Sequence, residues 1–263
     1  MRSVRVETNV TMPSFQVLRV RVNAVQISDV IKVMKRWISS GRDCHVIAVT
    51  NVHVVMEAHH DDSFKKVLAS ADWVVPDGMP LVWLGRLRGH HLKRRVAGPD
   101  LFVEFCRETN KKDYSHFFFG GSPGIPEEVA ARLKQQFPGL RIAGAFSPPF
   151  RPLSMEEDAS VIQMINEAAP DVLWVGLGCA KQERWMYEHC ARLKVPVIVG
   201  VGQAFDLYAG RKRRAPQWMR EHGLEWLFRL FQDPGRLWRR YLIYNTQFIY
   251  SVFLELLKPK RFE

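Results

Sequence analysis

Two kinds of apolar pattern alternate along this chain of 263 residues. Short, nearly unbroken runs recur at Cys44–Val49, Trp73–Val75, Ser115–Phe119, Leu140–Ala145, Asp171–Val175 and Pro196–Val199. They are too brief for helices and read as strands buried on both faces. Phe15–Val22 alternates in the manner of a further strand. Between the runs lie stretches with helical spacing. Ser28 is placed to cap a helix through about Ser39, and Val54, Val55 and Ala58 share one side of the next, which continues over Phe64–Ala69. Further helices are predicted over Met79–Leu87, from Gly98-Pro99-Asp100 to about Thr109, over Ile125–Phe137, over Ser154–Ala168 and from Lys181 to about Leu193. Ser154-Met155-Glu156-Glu157 matches a capping box. Strands alternating with helices predict an α/β fold, a Rossmann-like and mainly parallel sheet with helices on both faces.

In such folds ligands sit beyond the carboxyl ends of the strands, so the strand exits carry the candidate chemistry. Trp73-Val74-Val75 halts at Pro76, and Asp77-Gly78 then turns into a helix. Asp77 is a candidate functional acid there, although Asp-Gly is also ordinary turn chemistry. Glycine follows three other strands, at Gly120-Gly121, at Gly176 and Gly178, and at Gly200 and Gly202. Small residues before helix N-termini suit a phosphate-bearing ligand, with plain turn glycines as the competing explanation. Neither GxGxxG nor GxxxxGK[ST] occurs, which argues against dinucleotide hydride chemistry and P-loop nucleotide hydrolysis.

From Arg211 the pattern changes. Trp218, Met219, Leu224, Trp226, Leu227, Leu230 and Phe231 recur near helical spacing. Pro234 interrupts them, and a further helical stretch runs over Gly235–Leu257. Arg211–Glu263 holds 12 Lys/Arg against 5 Asp/Glu, so this last fifth contributes +7 of the net +11. The chain divides on this reading into a domain over 1–210 and a basic helical appendage over 211–263. Basic helices rich in Trp and Tyr suit a membrane interface, or pack on the domain with solvated arginines. A nucleic-acid partner is the competing class for so basic a chain, but no binding motif supports it. No run approaches the roughly 18–20 apolar residues of a spanning helix, and Met1–Pro13 reads as a leader without an export-signal pattern. Cys44, Cys106, Cys179 and Cys190 show no metal-ligand spacing and read as small hydrophobes, so the chain is expected in the cytosol.

Six ordered blocks then carry a resemblance. They are ADWVVPDGMPLVW (71–83), RVAGPDLF (95–102), FFFGGSPG (117–124), VGLGCAKQERW (175–185), GVGQAFDLYAG (200–210) and RAPQWMREHGLEWLFRL (214–230). The chain resembles the WecG/TagA/CpsF glycosyltransferases of bacterial cell-surface polymer synthesis over about Cys44 to Leu242. The resemblance implies an inverting transferase that needs no bound metal or other cofactor. It implies a UDP-sugar donor, with N-acetylmannosamine or its uronic acid, and an acceptor sugar on undecaprenyl diphosphate at the inner membrane face. It implies Asp77 as general base, Asn51 and Gln182 in the donor pocket, and Asp206 against the nucleoside. Thr50, Gly98, Asp100 and Phe150 join the strand-exit glycines Gly120, Gly121, Gly176, Gly178 and Gly202 in the expected substrate-binding set.

Two departures bear on the donor. The family's TxNPE reads Val49-Thr50-Asn51-Val52-His53, and its tyrosine-containing loop reads Ser147–Pro152. UDP-glucuronate or a UDP-hexose is therefore an alternative donor, with His53 or Arg151 able to meet a carboxylate. Equally, Arg151 could be solvated and His53 bonded within its loop. Transfer needs charge stabilisation on departing UDP as well as a base. Arg229, Arg236 and Arg239 are the candidates from the tail. No DxD motif marks a metal site, and Asp61-Asp62 reads as a helix start or a surface pair.

Overall fold

The computed structural model describes residues 12–41 and 43–257, so most of the expected leader lies outside the described residues. The chain opens with β1 (Ser14–Val17), β2 (Val20–Asn23) and α1 (Ile27–Ser40). Next come β3 (His45–Thr50), α2 (Val52–His60), α3 (Asp62–Ala69), β4 (Trp73–Pro76), α4 (Met79–Leu87) and α5 (Gly98–Thr109). The second half supplies β5 (Ser115–Gly120), α6 (Ile125–Gln136), β6 (Arg141–Phe146), α7 (Met155–Ala168) and β7 (Val172–Gly176). It closes with α8 (Lys181–His189), β8 (Val197–Gly200) and α9 (Ala204–Tyr208). The tail forms α10 (Gln217–Glu221), α11 (Glu225–Gln232), α12 (Pro234–Trp238), a π-helical turn (Arg239–Ile243) and α13 (Tyr244–Leu257).

Strands β3 to β8 form one parallel sheet in the order β4-β3-β8-β7-β5-β6. Period-two alternation sends successive side chains to opposite faces, and both faces are covered. Ile47, Val49, Val75, Phe118, Trp174 and Val199 meet α1, α5, α6 and α9 in one core. Their neighbours turn the other way. Ala48 and Val74 join α2, α3, α4 and the hairpin, while Phe117, Phe119, Leu173, Val175 and Ile198 pack on α7 and α8. The short apolar runs are therefore unbroken because neither face of the sheet meets water.

One polar group sits inside this core with every bond made. Trp174 Nε1 donates to His116 Nδ1 at 3.1 Å, and Thr109 Oγ1 lies 3.0 Å from His116 Nε2. The Thr109 hydroxyl donates to the Phe105 carbonyl at 2.7 Å, which leaves it an acceptor for the Nε2 proton. Burial pushes the imidazole down to about 3, so it is neutral.

The structure differs from the sequence reading at several places. Phe15–Val22 is two antiparallel strands, because Leu18 and Arg19 take positive φ of 48° and 68° and turn the chain back. The cap of α1 is Gln26, paired reciprocally with Asp29, and not Ser28. Asp61 breaks the long helix into α2 and α3 by accepting from Ser63 and Phe64 amides. Cys44 and Cys190, far apart in sequence, bring their sulfurs to 2.7 Å.

The tail is docked. Phe248 and Val252 of α13 are buried against the α2 and hairpin core, each contributing roughly 1.5–3 kcal/mol of apolar burial. Glu255 fixes the far end, accepting from the Leu18 amide at 2.9 Å and pairing with Arg88 at 2.8 Å. The opposite face of α13, with Ile249, Tyr250, Phe253 and Leu257, is exposed. No helix among the described residues is long and apolar enough to cross a membrane.

Candidate active site

The exits of β3, β4, β7 and β8 open into a cleft of about 840 Å³, roofed by the tail. Asp77 lies on one wall. Parallel pairing of Thr50 with Pro76 brings the two exits together, and the Thr50 carbonyl accepts from the Asp77 amide at 2.7 Å. Gly78 then takes φ 143°, a conformation that favours glycine, and starts α4 with Pro80 in its first turn. Thr50 itself is fully buried, with its hydroxyl on the Ala48 carbonyl. It positions Asp77 through the backbone and does not line the cleft.

The Asp77 carboxyl retains only 21% of its exposure. Arg95 Nη1 lies 3.4 Å from its Oδ1, and the other end of the same guanidinium pairs with Glu225 of α11. Arg95 thus ties the base candidate to the tail. Loss of water pushes the Asp77 carboxyl up to about 6; Arg95 opposes that rise, Glu225 adds to it and Arg229 opposes it. The result is a carboxylate that is mostly ionised at pH 7 yet basic enough to accept a proton.

Asn51 caps α2 through Oδ1, accepting from the Val54 amide at 3.2 Å, while its Nδ2 faces Cys179 Sγ at 3.8 Å. Gln182 is buried and internally committed. Its Oε1 accepts from the Gly202 amide at 2.9 Å and its Nε2 donates to Glu183 at 2.9 Å. It shapes the β8 exit from inside the wall. Burial also pushes the adjoining Glu183 carboxyl up to about 7.

The strand-exit glycines separate into two groups. Gly178 and Gly202 line the cleft, have positive φ and have open space where a side chain would stand. Their backbones are accessible to a ligand. A Cβ on Gly120 would meet the Gly176 backbone at 2.7 Å, and one on Gly176 would meet the Phe205 ring at 2.7 Å. These two, with Gly121, serve close packing of the β5 and β7 exits and lie outside the cleft lining. Gly98 likewise packs α5 on Val201, where a Cβ would stand 3.0 Å from the Val201 carbonyl oxygen.

Other expected residues also fall outside the lining. Asp206 pairs with Lys212 at 2.7 Å, and Phe150 stands 80% exposed on its loop. Neighbouring Arg151 is held by both oxygens of Glu157 at 2.6 Å, which occupies one of the two groups able to meet a sugar carboxylate. Asp100 does not line the cleft but braces two residues that do, Arg214 at 2.7 Å and Arg220 at 3.8 Å. Of the tail arginines, Arg229 and Arg236 reach the cleft, and Arg239 does not. Arg239 sits instead over the Trp238 ring, 5.2 Å from its centroid.

Four arginines that the sequence reading left out line the cleft as well: Arg95, Arg214, Arg220 and Arg240. Two of them stood at the edges of recognisable blocks, Arg95 opening RVAGPDLF and Arg214 opening RAPQWMRE. Their destination depends on how the tail folds back, which spacing alone does not report. Together with Arg229 and Arg236 they face a cleft whose lining carboxylates are Asp77 and Glu225. The Nε atoms of Arg214, Arg220 and Arg240 are buried without hydrogen-bond partners. Such an excess of cations around one elevated carboxyl calls for an anionic ligand. Among the described residues no cluster of three or more His, Cys, Asp or Glu side chains is arranged to hold a metal ion.

Comparison with known proteins points the same way. The sequence model of the Glycosyl transferase WecG/TagA/CpsF family matches residues 15–262. A protein of Bacillus spizizenii (strain W23) named N-acetylglucosaminyldiphosphoundecaprenol N-acetyl-beta-D-mannosaminyltransferase is 34% identical over 196 residues, 74% of each chain. Proteins of the same name from Bacillus subtilis (strain 168) and Staphylococcus aureus (strain MW2) are 32% and 27% identical. They match over 75% of this chain and 75% of the relative in the first case, and 73% and 74% in the second.

Proposed function

The chain belongs to the WecG/TagA/CpsF family of glycosyltransferases, and from that premise we propose the reaction that its cleft performs. An N-acetylmannosaminyl unit passes from a UDP donor to N-acetylglucosamine carried on undecaprenyl diphosphate. Asp77 takes the proton from the acceptor hydroxyl as that oxygen bonds to the anomeric carbon. The bond from the anomeric carbon to the phosphate oxygen breaks on the opposite side, inverting the centre, and UDP leaves with the electron pair. General-base assistance of this kind is worth roughly 10²–10⁴-fold.

The observation that carries the reading is the raised carboxyl of Asp77, lining the cleft among Arg95, Arg214, Arg220, Arg229, Arg236 and Arg240. Guanidinium groups and the open amides at Gly178 and Gly202 supply positive potential where the leaving diphosphate gains charge. That role is one for which many transferases use a divalent ion, so transfer here proceeds without one. The exposed apolar face of α13 rests on the membrane and brings the lipid-linked acceptor to the cleft. The pairing of Arg151 with Glu157 takes one of the two candidate partners away from a glucuronate donor and leaves His53, which lines the cleft. The cleft arginines point inward rather than across an outer face, unlike a nucleic-acid surface.

The test is UDP release by the full chain with UDP-N-acetylmannosamine and a lipid-linked N-acetylglucosaminyl diphosphate, with and without EDTA. Release that needs both substrates and survives EDTA supports the proposal. Release only from another UDP-sugar, or only with added metal, contradicts it.

A further inference from the structure

A second cavity, of about 410 Å³, adjoins the first and shares His53, Arg236 and Arg240 with it. Its walls also include Arg239, Ile243 and Tyr244, and none of Asp77, Arg229 or the strand-exit glycines. The π-helical turn Arg239–Ile243 sets the arrangement. Such turns widen a helix and re-aim its side chains. Here the consecutive Arg239 and Arg240 part company, Arg239 reaching only the second cavity and Arg240 both.

The positive charge in this cavity is poorly matched. Arg236 Nε pairs with Asp233 at 2.6 Å. The side-chain acceptor facing Arg240 is Cys179 Sγ at 3.2 Å, a weak one, and Arg240 Nε is buried without a partner. No carboxylate among the described residues lies within ion-pair distance of Arg239 or Arg240. His53 stacks on Tyr244 with ring centroids 5.2 Å apart, and its buried Nδ1 makes no hydrogen bond; Glu57, which does not line the cavity, lies 3.8 Å from that Nδ1 and accepts from the Tyr244 hydroxyl at 2.9 Å. Burial, with Arg240 nearby, pushes this imidazole down to about 3. It is therefore neutral and offers an N–H without adding charge.

The surroundings identify the kind of anion. Trp238, Leu242 and Ile243 beside the cavity are exposed, as is Tyr250 beyond it on α13, while the exposed Ile249 and Phe253 line the neighbouring Asp77 cleft. A cationic floor next to an uncovered apolar stripe suits a phosphate carried on a hydrocarbon chain. In a sugar-diphosphate lipid, one sugar ring separates the reacting hydroxyl from the diphosphate. The seat of that diphosphate must then lie beside the Asp77 cleft and not within it, which is where the shared wall places this cavity.

We propose that the second cavity, built on Arg236, Arg239, Arg240 and His53, seats the diphosphate of the lipid-linked acceptor. Arg229 and the amides at Gly178 and Gly202 are then left to the diphosphate of the donor. The inference rests on the reading of the chain as a transferase with a lipid-diphosphate acceptor. It divides the tail arginines between two substrates that would otherwise compete for one anion site.

The test is calorimetric binding of farnesyl diphosphate to the full chain, alone and saturated with UDP. Two separate seats predict that UDP leaves the farnesyl diphosphate Kd within about twofold. Arg239 is exposed, so Arg239→Ala should keep the fold; it is expected to weaken farnesyl diphosphate roughly tenfold, the loss of one charge-assisted contact. UDP affinity stays unchanged and Arg239→Lys recovers part of the loss. In the UDP-release assay the same Arg239→Ala variant raises KM for the acceptor and not for the donor. Mutually exclusive binding of UDP and farnesyl diphosphate would overturn the inference, as would an Arg239→Ala variant with unaltered farnesyl diphosphate affinity. A loss confined to vesicles containing phosphatidylglycerol, against phosphatidylcholine alone, would also overturn it by assigning the cavity to a bulk headgroup. Simultaneous binding without any sugar transfer would sink the proposed reaction and leave this site standing. Full transfer with exclusive binding would do the reverse.

Discussion

Replacing Arg95 with Gln tests how the cleft sets the basicity of Asp77. Arg95 holds Asp77 at 3.4 Å with one nitrogen and Glu225 with the other, and all three side chains are largely shielded from water. An opposite charge this close lowers the pKa of a carboxyl by roughly 1–3. In Arg95→Gln the desolvation that raises Asp77 remains, Glu225 loses its partner and repels, and Arg229 is the remaining attraction. The carboxyl therefore climbs from about 6 to roughly 7–9. A general base acts when deprotonated, so the rate rises with pH through that value and levels off above it. At pH 7 the active form falls from roughly nine-tenths of the protein to between one-half and one-hundredth. The assay is the pH profile of kcat/KM for UDP release. Wild type should show an acid limb near pH 6, and Arg95→Gln a limb displaced upward, with the rate recovering in alkaline buffer. An equal loss at every pH, with the limb still near 6, would refute the reasoning and place Arg95 on the substrate instead.

Other expectations separate structural from functional positions. Gly120→Ala drives a methyl into the Gly176 backbone and should lower the urea midpoint sharply; Gly178→Ala meets open space but must hold φ 88°, which costs about 1 kcal/mol of strain and shows mainly in the donor KM. Equal loss of stability in both would contradict that division. Deletion after Gly210 removes Arg214, Arg220, Arg229, Arg236 and Arg240 from the cleft, so UDP binding should fall below detection by calorimetry; unchanged UDP affinity would show that the tail does not contribute. His116 is neutral in the fold and titrates near 3 rather than at its ordinary value of 6.5. Below pH 6.5 only the unfolded chain takes that proton, so its contribution is complete above 6.5 and is lost as pH falls toward 3. At pH 4.5 the loss is about 2–3 kcal/mol. His116→Gln should flatten the pH dependence of unfolding by that amount, and an unaltered slope would contradict the assignment.

The strand-helix order was legible because the parallel sheet is covered on both faces, which leaves runs such as Leu173–Val175 unbroken by polar residues. The helix Met79–Leu87 could be placed to the residue because Asp77-Gly78 stops the strand and Pro80 suits a first helical turn. The hairpin was not legible, since Leu18 and Arg19 carry none of the usual turn residues yet adopt the left-handed conformation. Asp77, Gly178 and Gly202 lie on strand exits, where local pattern indicates position, while the family resemblance pointed to Asn51 and Gln182, and the cleft gathers all five. Glycine identity alone did not distinguish Gly202, open to the cleft, from Gly120, pressed on Gly176. Arg95, Arg214, Arg220 and Arg240 depend on contacts between distant segments, such as Arg95 with Glu225 and Arg214 with Asp100. No periodicity encodes those pairings.

The central claim is that Asp77 is the base and not a binding residue. Asp77→Asn keeps the size of the side chain and the backbone bond to Thr50 while removing the proton acceptor. Measured side by side, its UDP-release rate should fall by roughly 10²–10⁴-fold, with the Kd for UDP within about twofold of wild type. Turnover near the wild-type rate in a folded Asp77→Asn protein would contradict the account.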